Sequence, residues 1–139
     1  MDVYDFASMA YDRYAFRSGL DPGLRELGLS LECIEHPQGG VKKGKPTEAM
    51  KEAAKDADRE PEGLWMPGSV RLLEDVISEK RITIDQNPVL ISAILSSMVK
   101  PDRFGNYWLD KELATNKIDA CVALCMALGA ANALSGTRP

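Results

Sequence analysis

Two aspartates stand out for what surrounds them. Asp119 lies in NKIDACVALCMALGAANAL, near the start of a run of apolar and small residues, and Asp12 follows the aromatic and small residues of Phe6 to Tyr11. A carboxylate is a hard oxygen donor suited to Mg²⁺ or Mn²⁺. A strand-end aspartate and a helix-start aspartate, far apart in sequence, are the kind of pair that an α/β nuclease brings together around such an ion. Each also has a structural reading. With Asn116 as a helix cap, Asp119 becomes the third helical residue, able to reach back to the cap N–H and to meet the positive end of the helix dipole. An aspartate after a strand also commonly caps a turn, which would account for Asp12.

The other reactive side chains offer less. His36, the single histidine, precedes Pro37 without a ligand-spaced partner and reads as a plain loop residue. Cys121 and Cys125 are four apart and share a helix face, but no further Cys or His pair completes a zinc set. The cysteine count of three is odd, and the use of Cys121 and Cys125 as small hydrophobes suits a reducing cytoplasm. Neither a G-x-x-x-x-G-K-[ST] phosphate loop nor a nucleophile elbow is present, so ATPase and hydrolase readings lack local support.

With 139 residues the chain has the length of one domain, and its net charge of −4 argues against holding nucleic acid by bulk positive potential. A metal-bridged contact with nucleic acid stays open. The apolar stretch from Ala120 to Ala131 is short of the ~18 residues that suggest a membrane span, so a soluble protein with no membrane partner is expected.

The elements that must carry these residues alternate between the two periodicities. Phe6 to Tyr11 reads as a short strand delivering Asp12, LDPGLRELG as a short helix closed by Gly28, and LSLECIEH as a second strand. HPQGGVKKGK is a loop. It leads into PTEAMKEAAKDADREPEG, a solvated helix with only an Ala and Met stripe to bury, read as an exposed, partly mobile insertion. MPGSVRLLEDVIS is helical, RITI beyond it reads as a strand, and NPVLISAILSSM is a helix with Asn87 as cap and Pro88 at its first position. A turn at PDRFGN precedes a polar loop after Leu109, and the last helix, from Lys117 to about Leu134, is apolar on nearly every face and should be packed from several sides. An α/β sandwich with a small, open sheet follows.

Several segments, in order, resemble one family: AYDRYAF, IEHPQG, MPGSVRLLEDVISEKRITIDQNPVL, DRFGN and NKIDACVALCMALGAA. Together they look like the C-terminal nuclease part of the large terminase subunit of tailed bacteriophages, over most of the chain apart from about 41–62, which looks like a charged insertion. The resemblance implies an α/β, ribonuclease-H-like nuclease fold and a metal-dependent endonuclease that cuts concatemeric viral DNA during genome packaging. It implies that Asp12 and Asp119 are catalytic metal ligands, with Mg²⁺ or Mn²⁺ as cofactor. The implied partners are double-stranded viral DNA, the rest of the large subunit, the small terminase subunit and the portal, in the cytoplasm of a bacterial host. Lys111 and Lys117 are candidate contacts to DNA phosphate, with solvated surface as the plain alternative.

The sequence also departs from the family pattern. A third acidic ligand comes in the family from a first strand upstream of the Y-D-R segment, and this chain is expected to lack it, as it lacks the ATPase motor. Ile118-Asp119-Ala120 stands where I-D-G is common, and Ser92 and Ser97 lie where Trp and Asn are usual after NPVL. The expected fold is therefore incomplete, with its first strands missing and an open sheet edge inviting a homo-oligomer. Two carboxylates alone hold Mg²⁺ weakly, so the isolated chain is expected to be a weak or inactive nuclease, or an inactive remnant acting as an assembly or interaction module.

Overall fold

The computed structural model describes residues 6–13, 16–29 and 31–136. Tyr14, Ala15 and Ser30, which fall within segments read above, lie outside the described residues. Strand β1 (Ser8–Tyr11) pairs in parallel with β2 (Glu32–Glu35), Tyr11 standing opposite Glu35. Between them a wide helical turn (Phe16–Leu20) runs into helix α1 (Asp21–Glu26). Asp12 follows β1 directly, as its apolar lead-in predicts.

Helix α2 (Glu48–Asp56) begins at Thr47, whose hydroxyl accepts the Met50 N–H. Its Met50, Ala53 and Ala54 are buried, and Met50 packs in one cluster with Ile34, Leu64 and Ala130. The charged stretch is thus anchored by its apolar stripe rather than held away from the body. Helix α3 (Met66–Ser78) buries Met66, Val70, Leu73 and Val76, residues three or four apart on one face. These pack with Ala93 of α4 (Pro88–Ser96) and with Ile118, Cys121, Val122, Cys125 and Met126. The α4 start follows its chemistry: Asn87 Oδ1 accepts from Val89 N–H at 2.9 Å and Leu90 N–H at 3.3 Å.

Two local expectations are corrected and a third is extended. Arg81 to Ile84 forms no strand; a strand exists only through a neighbour's ladder, and here Ile82 is spent instead as a plug against the main core. The PDRFGN turn is present, but it closes an antiparallel hairpin, β3 (Val99–Pro101) with β4 (Tyr107–Leu109), too short to show an alternating pattern. Asp102 organises it, one carboxylate oxygen accepting both Phe104 N–H at 2.7 Å and Asn106 N–H at 2.9 Å, while Gly105 takes a φ of 84°. Finally, helix α5 (Asp119–Leu134) is capped by Ile118, not Asn116, whose amide donates to Ser96 Oγ instead.

Helix α5 is the centre of the packing. It lies against α2, α3, α4 and β1. One stripe stays open, however: Asp119, Ala123, Ala127 and Ala131, four apart, are all exposed. No helix among the described residues is long and apolar enough to cross a membrane.

Candidate metal and nucleic-acid site

The open stripe of α5 and strand β1 form the walls of a groove of about 840 Å³. Asp12 lines it from the end of β1, and Ala123, Ala127 and Ala130 line it from the helix. Asp119 stands one turn before Ala123 on the same stripe, roughly 6 Å further along the axis. Asp12 thus lines the groove, and Asp119 opens the helix stripe that forms its other wall. Their immediate partners differ, and among the described residues no group of three or more His, Cys, Asp or Glu side chains is disposed to hold a metal ion.

Asp119 is the first residue of α5 and exposed, with the helix N-terminus behind it. Its Oδ1 accepts from Lys111 Nζ at 2.7 Å, and that ammonium, with Lys117 beyond it, holds the carboxyl below the usual carboxylate range. The capping box expected of Asp119 does not form, because the helix starts two residues later than that reading required. Asp119 is thus an accessible carboxylate that a surface ammonium neutralises in this structure. The donor chemistry, carboxylate oxygen only, fits a hard divalent ion such as Mg²⁺ or Mn²⁺ rather than zinc. Lys117 is exposed.

Beside Asp12, Arg13 pairs with Glu35 at 2.9 Å. His36 follows Glu35 and is fully buried, correcting its reading as a plain loop residue. Its N–H donates to Tyr11 O at 2.8 Å, which ties the end of β2 to the residue before Asp12. The ring bridges two elements: Nδ1–H donates to Pro37 O at 3.1 Å, and Nε2 accepts the Ser69 hydroxyl of α3 at 2.7 Å. That assignment leaves both nitrogens satisfied with the imidazole neutral. Gly129 closes over the pair, since a Cβ there would fall 2.3 Å from Ser69 Oγ and 3.3 Å from His36 Nε2. No pattern in the sequence announces this bond, which links positions 33 residues apart.

Burial pushes the His36 imidazole below its ordinary value, against smaller upward pulls from the Pro37 carbonyl and the Asp12 carboxylate. The unfolded chain then binds protons more readily than the folded one below the ordinary value of 6.5. Stability from neutral His36 is complete above about pH 6.5 and is lost as pH falls through the lowered folded value. Urea denaturation at about pH 7.5 and 5.5 should therefore show wild type losing more stability on acidification than His36→Gln. Equal losses would assign the acid sensitivity to other groups.

Cys121 and Cys125 meet in the core, 2% and 0% exposed. The hydrogen bond that Cys125 shares with Cys121, together with burial, pushes its thiol up, which suits packing and not metal ligation.

The model of the family described as terminase large subunit, endonuclease domain, matches residues 64–134. The large terminase subunit of Enterobacteria phage HK97 is 33% identical over 132 residues, covering 93% of this chain and 21% of that protein. The crystal structure of the HK97 bacteriophage large terminase superposes with a TM-score of 0.67 at 29% identity, covering 91% of this chain and 22% of that one. The chain spans about a fifth of the length of these relatives. Its mixed α/β architecture is accordingly that of a ribonuclease-H-like terminase nuclease domain. With the matched stretch running through α3, α4, the hairpin and α5, the chain belongs to the terminase large subunit endonuclease-domain family.

Proposed function

We propose that this chain supplies part of a metal-dependent endonuclease that cuts concatemeric viral DNA during genome packaging, with Asp12 and Asp119 as oxygen ligands to Mg²⁺ or Mn²⁺. The observation that carries this reading is that Asp12 lines the β1–α5 groove whose helix wall belongs to the stripe beginning at Asp119. A divalent ion held there supplies a nucleophilic water and stabilises charge developing on phosphorus. Arg13 and Glu35 neutralise each other beside Asp12, leaving its carboxylate for the ion. Lys111 and Lys117 provide local positive charge for DNA phosphate in a chain whose net charge is −4. The rest of the large subunit, the small terminase subunit and the portal are the proposed packaging partners.

The test is nicking of supercoiled plasmid in Mn²⁺. Wild type should yield nicked circles that disappear with EDTA, and Asp12→Asn should slow their appearance at least tenfold, since even outer-shell groups of metal sites are worth ~10–100-fold. Nicking that survives chelation would remove the metal from the reaction. A second reading, a non-catalytic assembly module, draws on the apolar lining of the same groove, where Phe6, Leu20 and Leu29 are exposed. It would be favoured by a stable dimer in light scattering together with no Mn²⁺ binding at millimolar concentration.

A further inference from the structure

The charged stretch around α2 is fastened at two points. At its neck, Gly44 N–H donates to Leu64 O at 2.8 Å, Lys43 pairs with Glu62 at 3.6 Å, and the Gly44 and Gly63 backbones lie too close to admit a Cβ. At its far end, Asp58 takes a φ of 51°, the left-handed turn that closes α2, and the next residue, Arg59, reaches α5. Arg59 Nη2 donates to Asn132 O at 3.3 Å, Ala133 O at 3.2 Å and Ser135 O at 2.9 Å. Carbonyls at a helix end have no internal partner, and α5 carries no basic residue of its own in its last turn. Between these points the stretch packs apart from the main core. Among the described residues, Met50, Ile34, Leu64 and Ala130 form a cluster of four buried residues, against ten in the main core. A small satellite cluster under a long connection opens at lower cost than the core does. Helix α2 has nine residues, too few to stay helical once it leaves that cluster. The seam with α3 and α5 is loosely filled: a cavity of about 460 Å³ lies there, lined by Arg59, Leu64, Trp65, Ser69, Gly129 and Asn132.

We propose that residues 44–64 are a clasp on the C-terminal half of α5, with the glycine neck as its fixed end and Arg59 as its catch. Helix α2 and the last turn of α5 open and close as one unit, while α3 and the main core stay folded. Ala130 is the link to the groove, since it belongs to the satellite cluster and also lines the space between β1 and α5. Opening of the clasp therefore loosens the end of the groove wall furthest from Asp119, and closing it braces that wall.

Hydrogen exchange of the folded chain, read by mass spectrometry, tests this in wild type, Arg59→Met and Met50→Ala. The two substitutions act on different parts of the clasp, one on the catch and one on the satellite cluster. Each should speed exchange of α2 and of residues 130–135 together, by about tenfold or more, the effect of losing a charged hydrogen-bond donor or a buried methionine side chain. Exchange of α3 should stay at the wild-type rate. Trypsin gives a second readout, since Lys51 and Lys55 lie within α2 and should be cut faster by a similar factor in both variants. Faster exchange confined to the last turn of α5 in Arg59→Met would make Arg59 a helix cap alone and overturn the clasp. Exchange of α3 that rises as much as that of α2 would show that no part opens separately, and would overturn it equally.

Discussion

Gly63→Ala is expected to lower the melting temperature by about 10 °C or more, because ordinary overpacking costs ~1–3 kcal/mol and this clash has no soft partner. A Cβ on Gly63 would fall 1.7 Å from Gly44 O and 2.5 Å from Gly44 C. A Cβ on Gly44 would in turn fall 2.5 Å from Glu35 O. All of these are backbone atoms, so no rotamer change relieves the contact. Sliding the segments apart would also strain the bond from Gly44 N–H to Leu64 O, now 2.8 Å. Neither glycine has a positive φ; close approach, not backbone conformation, is what requires them. The stack of Glu35, Gly44 and Gly63 presses the end of β2 against the lead-in to α3, the two elements that His36 and Ser69 join. Thermal denaturation beside Gly39→Ala checks the claim, since a Cβ on Gly39 meets nothing within 4 Å. Matching melting temperatures for the two variants would mean that the segments do not cross closely.

Local chemistry was legible wherever one residue does the whole job. Asn87 before Pro88 marks a helix start because an amide oxygen and a missing N–H act within one turn, and α4 begins there. The period of Val70, Leu73 and Val76 likewise needs only one buried face. RITI and YWL show the limit. Both are short and rich in β-forming residues, yet only Tyr107–Leu109 finds a ladder partner, and that depends on where Val99–Pro101 comes to lie. Asn116 failed as a cap for a related reason: Ser96 offers its amide a tertiary partner that sequence spacing does not reveal. The packing of α5 from several sides is as read, but the open stripe escaped a reading that saw a helix apolar on nearly every face.

The candidate site divides along the same line. Asp12 and Asp119 could be picked out because a carboxylate beside apolar residues is conspicuous, and the order of family segments singled out the same two positions. Their companions could not. Lys111 reaches Asp119 from eight residues earlier only because the Asp110 turn folds back, and His36 reaches Ser69 only because β2 and α3 are packed together. Charge and type are local properties, whereas a hydrogen-bond partner is a property of the assembled fold.

Asp119→Asn is expected to reduce Mn²⁺-dependent plasmid nicking by ~100-fold or more while leaving the melting temperature within about 2 °C. The first half follows from charge. An amide keeps the shape of the carboxylate but offers a hard cation a neutral oxygen, and a direct ligand should matter at least as much as the outer-shell groups of metal sites. The second half follows from placement. Asp119 is exposed, its partner Lys111 is a surface side chain, and the N-cap of α5 is the buried Ile118, so no packed element depends on the charge. The two measurements together separate the two roles considered for this residue. A carboxylate serving the helix start would lower the melting temperature and spare nicking, because its work would be done against the dipole. A carboxylate serving the metal would do the reverse, and Asp119→Glu, which keeps the charge but moves it by one methylene, should then recover part of the nicking that asparagine cannot.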